Sequence, residues 1–184
     1  MQARGPLMIE HRLIEKMIAL IKGKNDQAGE TGEIDPHFVD VALDFIRTYA
    51  DWTHHGKEED ILFRDLAQKD LSDFDRKMMD ELVEEHVFGR KITAELDRAN
   101  DRYRGGDEAA LAEISDSLKT LVEFYPRHIR KEDEEFFPAM RNYLSWEEEQ
   151  QMLAEFQEFD RQMIHEKYRK VVDAYRGPQG AEGK

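Results

Sequence analysis

The chain has no cysteine, which excludes disulfides, thiolate zinc sites, cysteine-ligated iron–sulfur clusters and thiol catalysis. Proline and glycine are sparse, 5 and 11 of 184 residues, and β-branched residues never cluster. Few breakers and few strand formers, against abundant Ala, Leu, Glu, Lys, Arg, Met, Gln and Asp, point to an all-helical protein. No apolar run approaches bilayer length, and the opening "MQARGPLMIEHR" has no uninterrupted apolar core of signal-peptide type. The expectation is a soluble, unexported, cytoplasmic protein with no membrane partner. Positive charge is also short. Against 41 Asp and Glu stand 27 Lys and Arg, a net charge of -14. Nucleic-acid binding needs a concentrated basic surface, so that class is set aside. The length fits one domain over 1–184 with a sizeable core.

Punctuation residues divide the chain into five helices. The first runs from about Leu7 to Lys22, followed by a polar loop, "GKNDQAGETGEID". Asp35-Pro36 is an N-cap and first-turn pair opening a second helix to about Ala67. Ser72 with Asp75 opens a third, which stops at Gly105-Gly106. Asp107 caps a fourth that reaches about Tyr143, with a kink expected from Pro126 and Pro138. Ser145 with Glu148 opens a fifth, ending before Gly177-Pro178, and the tail 177–184 is expected to be disordered. Short connections between long amphipathic helices predict an antiparallel up-and-down four-helix bundle over about 7–143, with an accessory C-terminal helix over about 145–176. The second helix is apolar on two sides, with Phe38, Val41, Phe45 and Trp52 opposite Leu43, Ala50, Ile61 and Leu62. The outer face needs a cover, either the fifth helix or a second protomer in a homodimer.

Each of the first four helices carries a histidine in its apolar stripe. His11 sits among Leu7, Ile14 and Ile18, and His54 with Leu43, Ala50 and Ile61. His86 shares a face with Met79, Leu82, Val83 and Thr93, and His128 follows Ile114, Leu121 and Phe124. Glu58 and Glu132 stand four residues after His54 and His128, so imidazole and carboxylate project from one face. The two are parts of a repeated formula, "HHGKEEDILF" at 54–63 and "HIRKEDEEFF" at 128–137. In the first copy "HH" and "EE" leave the pairing open, and superposition on the second selects His54 with Glu58. The repeat thus reads as two equivalent half-sites on two helices.

Four inward imidazoles and two inward carboxylates are costly to bury without a partner, and a pair of divalent metal ions provides one. Nitrogen and oxygen donors without sulfur suit iron, manganese or zinc. Two bridging carboxylates and four terminal histidines give each metal two nitrogens and two oxygens. A bridging oxide or hydroxide adds a fifth donor and leaves a position for a small ligand. Iron is the choice, because open, nitrogen-rich sites of this kind bind and reduce dioxygen. The competing reading is a bundle that merely buries hydrogen-bonded histidines.

These residues carry a resemblance. His11 in "IEHRLIEKM", "HHGKEEDILF", His86 in "ELVEEHVFGRK" and "HIRKEDEEFFPAM" together resemble a hemerythrin-like protein of the HHE cation-binding domain family, over about Leu7 to Tyr143. The resemblance implies a non-haem di-iron centre inside the bundle, with His11, His54, His86 and His128 as terminal ligands and Glu58 and Glu132 as bridges. Two features depart from the invertebrate oxygen carriers. Those have a second third-helix histidine where this chain has Arg90, and an aspartate five residues after the fourth-helix histidine, where this chain has Glu132 at four. The four-His, two-Glu set looks more like bacterial relatives linked to iron–sulfur repair under nitrosative stress or to oxygen and iron sensing. Ferritin-like bundles use Glu-x-x-His pairs, and no histidine here has a glutamate three residues before it.

Glu15 and Glu135 are candidates for extra ligands or for orienting an imidazole, with Arg90 pairing to one of them, though solvated carboxylates are the more ordinary reading. Gly89 leaves room either for a small ligand or for close helix packing. His55 and Glu59 are placed at the periphery, His165 away from the stripe Met152, Phe156, Phe159, Met163, and His37 at an exposed helix start. The leading function is binding or sensing of dioxygen, nitric oxide or iron. The alternative is a di-iron oxidoreductase acting on peroxide or nitric oxide.

Overall fold

A computed structural model describes residues 2–176 as five helices and no strand. They are α1 (Arg4–Thr31), α2 (residues 36–66), α3 (Asp73–Arg104), α4 (residues 110–140) and α5 (Trp146–Arg176). Each of the first four lies against its sequence neighbours, and α1 closes the ring against α4. The expected tail at 177–184 lies outside the described residues.

Three of the four expected caps are built, and the fourth, Asp107, lies ahead of a helix whose N-cap is Ala109. Asp35 accepts from the His37 N–H at 2.9 Å, and Ser72 from that of Asp75 at 3.1 Å. Asp107 accepts from the Ala109 N–H at 3.2 Å, just ahead of α4. Ser145 and Glu148 exchange hydrogen bonds of 2.8 and 3.2 Å as a capping box. The end of α1 differs from expectation. It continues past Lys22 through Gly23 and Gly29 to Thr31, and only Gly32, at φ 75, turns the chain. A glycine inside a helix costs roughly 0.5–1 kcal/mol relative to alanine. That cost is offset by tertiary contacts: Ala28 is buried, and the Asn25 amide donates to the Ser115 carbonyl at 3.2 Å.

Three stretches leave α geometry. Ile46–His55 and Glu58–Phe63 within α2, and Glu132–Phe136 within α4, are π-helical. Their i→i+5 bonding holds more residues per turn, so successive side chains diverge by a smaller angle than on an α-helix.

The apolar interior falls into two clusters. One joins Ile14, Ile18, Leu43, Ala50, Leu96, Leu118 and Leu121, the other Leu7, Leu62, Leu66, Leu82, Phe136 and Phe137. Between them every bundle helix interrupts its apolar stripe with buried histidine. The fifth helix does cover α2, but beside Gly56 rather than over the expected strip. A Cβ on Gly56 would stand 2.7 Å from the Phe159 ring, and Lys167 reaches Asp44 at 2.9 Å. Val41 stays 46% exposed, while Phe38 and Phe45 pack at the edge of the first cluster.

Leu118 lies in the first cluster with no exposed surface. Leu118→Ala should lower unfolding stability by about 2–5 kcal/mol in a denaturant titration, with metal uptake unchanged.

Candidate metal centre

The layer between the two clusters gathers His11, His54, Glu58, His86, His128 and Glu132, every one at least 98% buried. It also contains His55. Donor atoms of His11, His54, Glu58 and Glu132 lie within 4.8 Å of one another, and so do those of His55, His86 and His128. Periodicity places His55 at the periphery, and the structure corrects this. Consecutive residues at 100° steps cannot share a narrow face, but the π-helical winding of Ile46–His55 brings His54 and His55 inward together. The ring of His55 stacks on His86 at 3.8 Å between centroids.

The carboxylates stand between the pair and the trio. Glu58 Oε1 is 3.5 Å from His54 Nε2, and its Oε2 is 3.5 Å from His86 Nε2. Glu132 Oε2 is 3.1 Å from His11 Nε2, while its Oε1 is 3.4 Å from His128 Nε2. Each glutamate therefore turns one oxygen to each set.

Every imidazole is held from behind through Nδ1. His11 donates to Asp133 at 2.8 Å, His54 to Glu10 at 3.0 Å, His86 to Glu59 at 2.7 Å and His128 to Glu85 at 2.8 Å. His55 Nδ1 is 3.4 Å from Asp51. Since an ionised carboxylate only accepts, Nδ1 is the donor in each of these bonds, which turns Nε2 inward. The acids are gripped in turn by cations: Asp133 by Arg12, Glu10 by Lys57, Glu85 by Lys131. Arg90 clasps both Asp51 and Glu59, at 2.7 and 2.6 Å, rather than Glu15 or Glu135. Glu15 pairs with Arg12 at the surface, and Glu135, His37 and His165 are exposed. Asp133 does stand five residues after His128, as in the oxygen carriers, yet it faces His11 Nδ1 and leaves the centre to Glu132.

Phenylalanines wall the centre. Phe137 stacks on His11, Phe63 on His86 and Phe124 on His128, at 5.7, 6.0 and 5.3 Å. A cavity of about 300 Å³ reaches the outer side of His55, lined also by Asp51, Gly89, Arg90 and Tyr125. Gly89 serves packing as well, since a Cβ there would lie 3.2 Å from Phe124.

The donor set fits metal ions. All four oxygens of Glu58 and Glu132, and Nε2 of His55, His86 and His128, are buried without a hydrogen-bond partner. Unpaired buried groups of this kind are expensive, and a cation removes the cost. His11 and His54 approach Nε2 to Nε2 at 2.8 Å, a spacing that two nitrogens each about 2.0–2.1 Å from one ion can adopt. In the metal-free protein a proton does this work. Burial opposes charge on His11, but hydrogen bonding to Asp133 and the approach of Glu132 push its pKa up to about 9. For His54, burial and the charge of His11 outweigh Glu10 and take the pKa down to about 4. Charged His11 thus donates to neutral His54. Burial, with Glu132 alongside, raises Glu58 well above the usual carboxylate range. Burial disfavours charge on Glu132 too, but His128, His11 and His86 hold it well below that range.

A family model, that of the hemerythrin HHE cation binding domain, matches residues 6–140. The chain belongs to this family. Comparison with curated proteins and with solved structures returned no match. As an HHE-domain protein it carries a cation-binding bundle whose matched residues stop before α5. Where the oxygen carriers take a fifth histidine from the third helix, this HHE domain brings His55 in from α2 and uses Arg90 to steady the acids behind it.

A cation binding here must displace the His11 proton. The charged His11 contributes stability to the metal-free fold that is complete below pH 6.5 and lost as pH rises through about 9. Over that same window metal affinity should strengthen. Calorimetry at pH 7 in buffers of differing ionisation enthalpy should record net proton release on metal uptake, and a pH-independent affinity would contradict the assignment.

Proposed function

We propose that the chain is a non-haem di-iron protein that binds or senses a small diatomic molecule, dioxygen or nitric oxide, or iron itself. One observation carries this reading. Two fully buried glutamates each face both a histidine pair and a histidine trio, and the protein satisfies none of their four oxygens.

In this reading His11 and His54 would hold one ion, His55, His86 and His128 the other, and Glu58 and Glu132 would serve both. The absence of sulfur and the nitrogen-rich donor set favour iron over softer alternatives. An iron pair would supply reversible binding of a diatomic ligand and the electrons to reduce it. The protein would supply the rest. The acids behind each imidazole fix its tautomer and raise its basicity. The phenylalanine wall keeps bulk water from the carboxylates. The trio gives its ion one more nitrogen than the pair, so the His11 and His54 side has fewer protein donors and more room for a small molecule. Among the described residues no helix is long and apolar enough to cross a membrane. The oxidoreductase reading uses the same centre and is separated by turnover.

Protein expressed in iron-rich medium should contain about two irons per chain and absorb in the near ultraviolet through ligand-to-iron charge transfer. His128→Ala and His55→Ala should each bring the iron below two, whereas Glu15→Ala, altering a surface carboxylate, should leave it at two. Iron-free wild type, or a full complement in both histidine variants, would defeat the proposal. Rapid peroxide breakdown abolished by Glu58→Ala would move the function to catalysis.

A further inference from the structure

The two copies of the repeated decapeptide are treated differently by the rest of the chain. Lys57 and Lys131 occupy the same offset, and each holds the glutamate that accepts from its own copy's histidine, Glu10 behind His54 and Glu85 behind His128. Lys131 keeps 26% side-chain exposure and takes its second partner, Glu81 at 3.5 Å, from the same helix as Glu85. Lys57 is wholly buried, and its second partner is Asp160 of α5 at 2.8 Å. The ring of Phe156 lies 6.0 Å from its ammonium, and Phe159 covers the adjacent Gly56. An ammonium buried to this degree is strongly unfavourable unless paired. The pairs here run in a line: Asp160, Lys57, Glu10, His54. Its outer end is half-exposed on a helix that the HHE-domain match does not reach.

We infer that α5 is a working part of the metal centre, with Asp160 and Lys57 as positioning residues for the His11 and His54 half. Asp160 fixes the Lys57 ammonium, Lys57 fixes Glu10, and Glu10 sets the orientation and basicity of His54. The trio, whose acids are held by Arg90 of α3 and Lys131 of α4, is independent of this line. By reciprocity, an ion at the pair strengthens the docking of α5 on α2. This inference rests on the two-ion reading above.

Titration of the full-length protein with Co²⁺ as probe separates the two. Wild type should take up two ions in distinguishable steps; wild type that binds none rejects the two-ion reading itself. Asp160→Asn, an isosteric change on a half-exposed side chain, should weaken one of the two ions by about 10-fold, the low end of the range for losing a direct partner of a metal-bound histidine, since Asp160 acts through Lys57 and Glu10. Its other ion should bind as in wild type, and a single paramagnetically shifted imidazole N–H resonance should move. Lys131→Met should weaken the opposite ion. Hydrogen exchange in α5 of the wild type should slow on metal uptake, and do so less in Asp160→Asn. Two ions bound by Asp160→Asn with wild-type affinities would overturn the inference. So would equal weakening of both ions, or an equal fall in melting temperature with and without metal, since each marks Asp160 as a fold contact only.

Discussion

Two carboxylates with no accessible surface and no hydrogen-bond donor are the constraint from which the rest of this structure follows. Leaving even one such group ionised and unpaired costs several kcal/mol. The bundle answers with layers of alternating charge. Around the glutamates stand imidazoles, behind the imidazoles stand acids, and behind the acids stand lysines and arginines. The outer layers fix the inner ones in place without neutralising the glutamates, so the centre retains its demand for cations. The two apolar clusters above and below hold the four helices together around this centre.

The repeated decapeptide gains a meaning at each of its shared positions. Histidine faces the centre, and lysine steadies the acid behind that histidine. Glutamate spans the two donor sets. The acid that follows, Glu59 or Asp133, reaches across to the histidine of the other hairpin, His86 or His11. The closing phenylalanine, Phe63 or Phe137, stacks on that same ring. Glu10 and Glu85, each directly before a histidine of α1 or α3, complete the exchange. The centre is therefore two interlocked helical hairpins with one set of rules. His55 breaks the symmetry, since its counterpart is the apolar Ile129, which packs in the first cluster.

Much of this was legible in the sequence. The helix starts followed from Asp35, Ser72 and Ser145, because caps are local chemistry, while Asp107 marked its start two residues early. The gathering of His11, His54, Glu58, His86, His128 and Glu132 followed from polar residues interrupting apolar stripes. What escaped depended on long-range geometry. Past Lys22 the glycines looked like a loop, and only contacts with α4 make the helix worth continuing. His55 escaped because a fixed 100° step assumes α winding, and nothing local to residues 46–55 announces the change of pitch. The acids behind the imidazoles escaped as well, although the two Glu-His dipeptides and the acid after each bridging glutamate were visible as repeats.

The wide winding of α2 has a chemical consequence. The number of nitrogens offered to a buried ion is usually a matter of which residues a helix contains. Here it depends also on how tightly the helix is coiled, because the looser pitch narrows the angle between His54 and His55 and lets both face the interior. A backbone parameter thereby sets the donor count: the chain gains two unequal sets of buried donor atoms without lengthening a helix or moving a histidine to a new turn.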